Sequence, residues 1–143
     1  MIWDKNWKDV DIIKDDPDTK EQLFYYCINV PIPLVNDRDN VALKKVRFDF
    51  PQVGQRCIHM KSVSHEKHPP RKGRVRFHLK IFSAVLMHIE DGKGAKITFF
   101  SQTNPGGKIP SKIVNKFVGK VHIKFIKTYI DACKLLADGK LLK

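Results

Sequence analysis

Apolar and polar residues alternate most cleanly at residues 74–81. Val75, Phe77, Leu79 and Ile81 point one way there, and Arg74, Arg76, His78 and Lys80 the other. That period of two marks a half-buried strand. It continues through Val85, Met87 and Ile89 to a hairpin turn at Asp91-Gly92-Lys93-Gly94. Residues 96–101, Lys-Ile-Thr-Phe-Phe-Ser, are β-branched and aromatic and predict the next strand. Upstream, residues 22–28, 41–50 and 56–63 read as three further strands. Pro31-Ile32-Pro33 with a charged turn at residues 36–39, then Pro51-Gln52-Val53-Gly54, separate them, and a Pro-rich polar loop follows at residues 65–73. Residues 5–18 are polar and turn-rich. Successive strands joined by short turns imply an antiparallel meander with one polar face.

At Asn104-Pro105-Gly106-Gly107 the period changes. Pro110 can open a helix, Ser111 can cap it, and only Gly119 interrupts the run to Ala137. At roughly 100° per residue, Val114, Val118, Val121, Phe125, Tyr129 and Leu136 share an arc of about 80°. Lys112, Lys116, Lys120, Lys124, Lys127 and Lys134 fill about 120° on nearly the opposite side. A long helix is thus returned across a sheet from a stiff hinge, its apolar side available to cover the sheet.

Charge sharpens this picture. The formal net charge is +12, and residues 108–143 hold nine Lys against Asp131 and Asp138. Such a stripe reads either as a solvated helix face or as a docking face for an anionic surface, membrane or nucleic acid. At 143 residues the chain is long enough for one domain. No apolar run approaches spanning length and no secretory signal is visible. Three widely spaced cysteines (Cys27, Cys57, Cys133) make no disulfide framework, which fits a reducing, cytoplasmic setting.

Catalytic and metal signals are rejected one by one. His65-Glu66-Lys67-His68 is one residue short of a helical zinc motif, and Pro69-Pro70 forbids the helix. Gly106-Gly107-Lys108 lacks the earlier glycine of a phosphate loop, and Gly92-x-Gly94 leads into a strand. No catalytic residue, metal or cofactor is expected. A basic nucleic-acid binder stays as a minor alternative on charge alone, without a recognised motif.

Five motifs in order resemble the START (StAR-related lipid transfer) domain family. Trp3-Asp4-x-x-Trp7 is similar to its WD segment, and Pro31-Ile32-Pro33 followed by Arg38-Asp39-x-Val41 to its P-x-P…RD-x-V stretch. Ser62-Val63-x-His65 and Gly73-x-Val75-Arg76 resemble its S-V-x-H and G-x-V-R pair. Asn104-Pro105-Gly106-Gly107-x-x-Pro110-x-x-Ile113-x-Asn115 resembles its most specific motif. Two departures stand out. The chain starts at the WD segment, where family domains begin earlier with a helix and three strands, and the Pro33–Arg38 spacing is one residue longer than usual.

The resemblance implies an α+β helix-grip fold over residues 1–143: a curved antiparallel sheet gripping the C-terminal helix, with a lipid tunnel between. It implies non-enzymatic binding and intermembrane transfer of one phospholipid, sterol or ceramide, or lipid sensing without transfer. Arg38 is the expected polar anchor of the tunnel. Tyr26, Val41, Phe77, Leu79 and Ile81 are expected on its wall, and Val114, Phe117, Val118, Val121 and Phe125 on the helical lid. Asn40 follows Arg38-Asp39 and offers no aromatic ring there, which weakly disfavours choline. Phe50 and Val53 fall on the loop that gates the tunnel. With Lys112, Lys116, Lys120 and Lys124 they would dock the domain on an anionic membrane, peripherally and from the cytoplasm. No nucleic-acid partner is expected.

Overall fold

The structure, a computed structural model, describes residues 6–30, 35–88 and 95–139. The Trp3-Asp4, Pro31-Ile32-Pro33 and Asp91–Gly94 features lie outside the described residues. The described residues form seven strands and one helix, in chain order β1 (Trp7–Asp16), β2 (Glu21–Ile28), β3 (Asp37–Phe48), β4 (Gln55–Ser62), β5 (Arg74–Arg76), β6 (His78–His88), β7 (Ala95–Asn104) and α1 (Ser111–Ala137). The sheet order is β1-β2-β3-β4-β6-β7, each neighbour antiparallel, while short β5 pairs in parallel with the start of β3.

Segment 5–18 departs from its turn-rich reading, because most of it is edge strand β1. Register shifts between Lys8 and Asp11 and between Ile12 and Lys14 break its apolar period, which hid the strand. Charges and bulges also blunt this edge. The expected turn survives at its end, where the Asp16 carboxylate accepts the N–H groups of Asp18 and Thr19 at 3.1 and 3.0 Å.

Cross-strand partners show which residues share a face. Phe24 opposes Ala42, and Ala42 opposes Ser62; Tyr26 opposes Asn40, and Ile28 opposes Arg38. On this inner face Phe24, Tyr26, Ala42, Phe77 and Leu79 form the buried core, with Trp7, Ile28, Met60 and Phe82 packed against it. Trp7 stacks on Tyr26 at 4.6 Å, and Phe77 meets Tyr26 edge-on at 5.8 Å.

The outer face is held by charge. Asp39 is fully buried and takes Nε and Nη2 of Arg76 at 2.9 and 3.2 Å. The Tyr25 hydroxyl donates to Asp39 at 3.3 Å and accepts from Arg74 at 2.6 Å, and Arg74 also pairs with Asp9. Buried His68 stacks on Tyr25 at 4.4 Å and bonds Asp11 at 2.8 Å, which pins the Pro-rich loop and β1 to the sheet. The turn expected at residues 36–39 is instead the start of β3, from Asp37, because these charges have partners within the fold.

α1 crosses the inner face. Phe99 on β7 meets Phe125 and Tyr129 edge-on at 5.8 and 6.0 Å, and Phe82 at 6.1 Å. Pro110, not Ser111, occupies the N-cap position, and no side chain caps the helix there. This is a sheet folded over a long C-terminal helix: the helix-grip fold.

Candidate functional site

The hinge comes first, because it sets where the helix lies. Asn104 Oδ1 accepts the Gly106 N–H at 3.0 Å, and Gly106 and Gly107 take φ of +65° and +67°. Those are left-handed conformations that suit glycine. The Arg38 guanidinium then grips the loop. Nε donates to Pro105 O at 2.9 Å, Nη2 to Gly106 O at 3.4 Å and Nη1 to Asn36 O. Burial pulls its pKa below the ordinary arginine value. Arg38 thus clamps the β7–α1 hinge: its charge is answered by backbone carbonyls 67 and 68 residues away.

Val41 and Ile81 lie on the opposite face. Val41 is fully buried but opposes Tyr25, on the face away from the aromatic core. Ile81 follows a bulge between Leu79 and Ile81 that reverses the alternation, leaving it 40% exposed. Tyr26, Phe77 and Leu79 come together in the buried core of the inner face. The Tyr26 hydroxyl accepts from Asn40 at 3.4 Å, Ser62 donates to Asn40 at 2.8 Å, and the Leu79 N–H donates to Ser62 at 2.7 Å. The side chains of Val114, Lys116, Phe117, Val118 and Val121 lie outside the described residues.

Between sheet and helix is an apolar cavity of about 390 Å³, lined by Phe82, Phe99, Ser101, His122, Phe125 and Ile126. Of these the sequence singled out Phe125 alone. The strand signal at residues 96–101 was legible, but only the helix's position over β7 selects Phe99 and Ser101. A second cavity of about 350 Å³ sits under the 65–73 loop with a mixed polar and apolar wall, on which Ser62, His68 and Arg76 are already bonded within the fold. At the β3–β4 tip, Phe50 is exposed and Val53 is 90% exposed. Phe48, which the sequence reading passed over, joins them; Arg56 lies over its ring at 5.1 Å and Arg47 over Phe50 at 5.0 Å. Lys112, Lys120 and Lys124 are exposed on α1.

Burial pushes the Tyr26 hydroxyl up to about 12, partly opposed by the Asn40 amide. The unfolded chain releases that proton near pH 10, the folded chain only near 12. The stabilisation is therefore complete below pH 10 and lost as pH rises toward 12. Relative to Tyr26→Phe, the wild-type chain should lose about 2–3 kcal/mol across that window. Urea denaturation at stepped pH checks this, and parallel curves for the two proteins would refute it.

A sheet wrapped on a helix with an apolar cavity between them defines the class as a helix-grip domain. The START domain family profile matches residues 1–138, and the chain belongs to that family. Human START domain-containing protein 10 is 34% identical over 81% of this chain and 38% of its own length. Bovine phosphatidylcholine transfer protein is 30% identical over 80% of this chain and 53% of its own. The crystal structure of human STARD10 superposes with a TM-score of 0.82 at 28% identity, over 96% of this chain and 54% of that one. Human StAR-related lipid transfer protein 5 shares the fold, with a TM-score of 0.75 at 24% identity over 88% of this chain and 59% of that one. The chain thus spans about half the length of the relatives it matches, or less.

Proposed function

We propose that this chain binds a single lipid between its sheet and α1 and carries it between membranes. The observation that carries the reading is the apolar sheet–helix cavity walled by Phe82, Phe99, Phe125 and Ile126. Family membership and the phosphatidylcholine transfer proteins among the relatives support it. Tyr26, Phe77 and Leu79 form the floor of the lipid's surroundings, and Val114, Phe117, Val118, Val121 and Phe125 the lid. The test is native mass spectrometry after incubation with phosphatidylcholine vesicles, followed by a fluorescent vesicle-to-vesicle transfer assay. One retained lipid with transfer supports the reading. Retention without transfer makes the chain a lipid sensor, and no retained lipid sinks the proposal.

Docking follows from charge and exposure. No described helix is long and apolar enough to cross a membrane, and the proposed contact is peripheral, at a cytoplasmic leaflet. Phe50 and Val53 enter the interface, and Lys112, Lys116, Lys120 and Lys124 face anionic headgroups. Each lysine near such a surface contributes about 1 kcal/mol. Replacing all four by Gln should weaken binding to phosphatidylserine vesicles by more than about tenfold, while lipid uptake from detergent solution is unchanged. Co-sedimentation at fixed salt measures this, and equal binding would remove the lysine face from the docking surface.

A further inference from the structure

Most polar side chains on the inner face already have partners. Tyr26, Asn40 and Ser62 bond in series to the Leu79 N–H. Arg38 holds the hinge, and Lys44 donates to Gln22 at 2.8 Å. Two groups in the apolar cavity differ. Ser101 lines it from β7, its hydroxyl paired weakly with Thr103 at 3.3 Å. His122 lines it from α1, and its ring has no hydrogen-bond partner among the described residues.

A hydroxyl offers one donor and two lone pairs, and a neutral imidazole one N–H and one lone pair. Neither carries a fixed charge, so together they match an uncharged oxygen. A ligand oxygen taken into this otherwise apolar wall without a partner loses about 1–3 kcal/mol, so the pair governs how a ligand is seated. We propose that Ser101 and His122 orient the bound lipid by hydrogen-bonding an uncharged oxygen, the ester carbonyl of a glycerolipid or the hydroxyl of a sterol. Because they project from opposite walls, the ligand bridges β7 and α1 and ties the helix to the sheet. The inference rests on the lipid-binding reading above.

The experiment titrates three fluorescent probes: a diacyl phosphatidylcholine, its dialkyl ether analogue and a sterol. The proteins are the wild-type chain, Ser101→Ala, His122→Leu and His122→Gln. Both side chains are exposed, so melting temperatures should be unchanged. If a carbonyl is held, diacyl binding falls about fivefold to tenfold in the Ala and Leu variants. Gln, which keeps an N–H and an acceptor, restores it. The ether analogue then binds weakly throughout and does not respond. If a hydroxyl is held, the sterol alone shows this pattern. Equal affinities in all four proteins would overturn the inference and leave lipid binding intact. Failure of the wild-type chain to bind any of the three probes would overturn both.

Discussion

Asp39→Ala should cost about 3–5 kcal/mol of unfolding free energy, enough to unfold a marginal domain at ambient temperature. The carboxylate is fully buried and accepts two bonds from Arg76 and one from Tyr25. Removing it leaves a largely buried guanidinium without its counter-charge, and deprives the Tyr25 hydroxyl, to which Arg74 donates, of its acceptor. That is the costly way to break an ion pair; removing both charges costs far less. The double variant Asp39→Ala with Arg76→Met should therefore recover part of the loss. Recovery will be incomplete, because Arg76 Nη2 also holds the carbonyls of His68 and Pro69 and so anchors the loop. Urea denaturation of the two single variants and the double variant gives the coupling energy. A single variant within about 1 kcal/mol of wild type would show that water reaches the site and that the buried pair is not what holds the outer face.

How much of this was legible in the sequence depends on the range of each signal. Strands β2, β3, β4 and β6 announced themselves through period and Gly/Pro punctuation, which are local. The same locality explains the failures. β1 carries Val10, Ile12 and Ile13 among charges, and two register shifts scramble its alternation. The bulge after Leu79 leaves no mark in composition, so Ile81 looked like a continuation of Phe77 and Leu79. Val41 sits in the strand where expected, but parity relative to Tyr26 decides its face, and that needed the β2–β3 register. The partners of Arg38 were hidden for a different reason. They are backbone carbonyls, which every residue has, so no residue type far along the chain could have signalled them. Ser101 and His122 were invisible because a cavity is a relation between two elements, here fixed by where α1 settles on Phe99.

The hinge is where the local and long-range signals meet, and it yields the second large effect. Gly106→Ala should destabilise the chain by about 2–5 kcal/mol. A left-handed conformation disfavours any side chain, and here the space is also taken. A Cβ on Gly106 would lie 2.5 Å from the Arg76 carbonyl oxygen and 3.1 Å from a Val75 methyl. The first is backbone of β5, which is itself hydrogen-bonded to β3, so it has little freedom to retreat. At Gly107 the nearest atom would be a Val75 methyl at 3.4 Å, ordinary contact. Gly107→Ala should therefore show the conformational cost alone, about 1–2 kcal/mol. The displaced loop in Gly106→Ala also draws Pro105 and Gly106 from Arg38, loosening the clamp on a helix whose N-terminus has no side-chain cap. Loss of α1 docking should then accompany the loss of stability, read as weaker retention of lipid at temperatures where the variant is still folded. If the two alanine variants are equally stable, the tight approach to β5 is not what positions the hinge. If Gly106→Ala is unstable yet retains lipid as well as wild type, the helix is held by its aromatic contacts with Phe99 and not from the hinge.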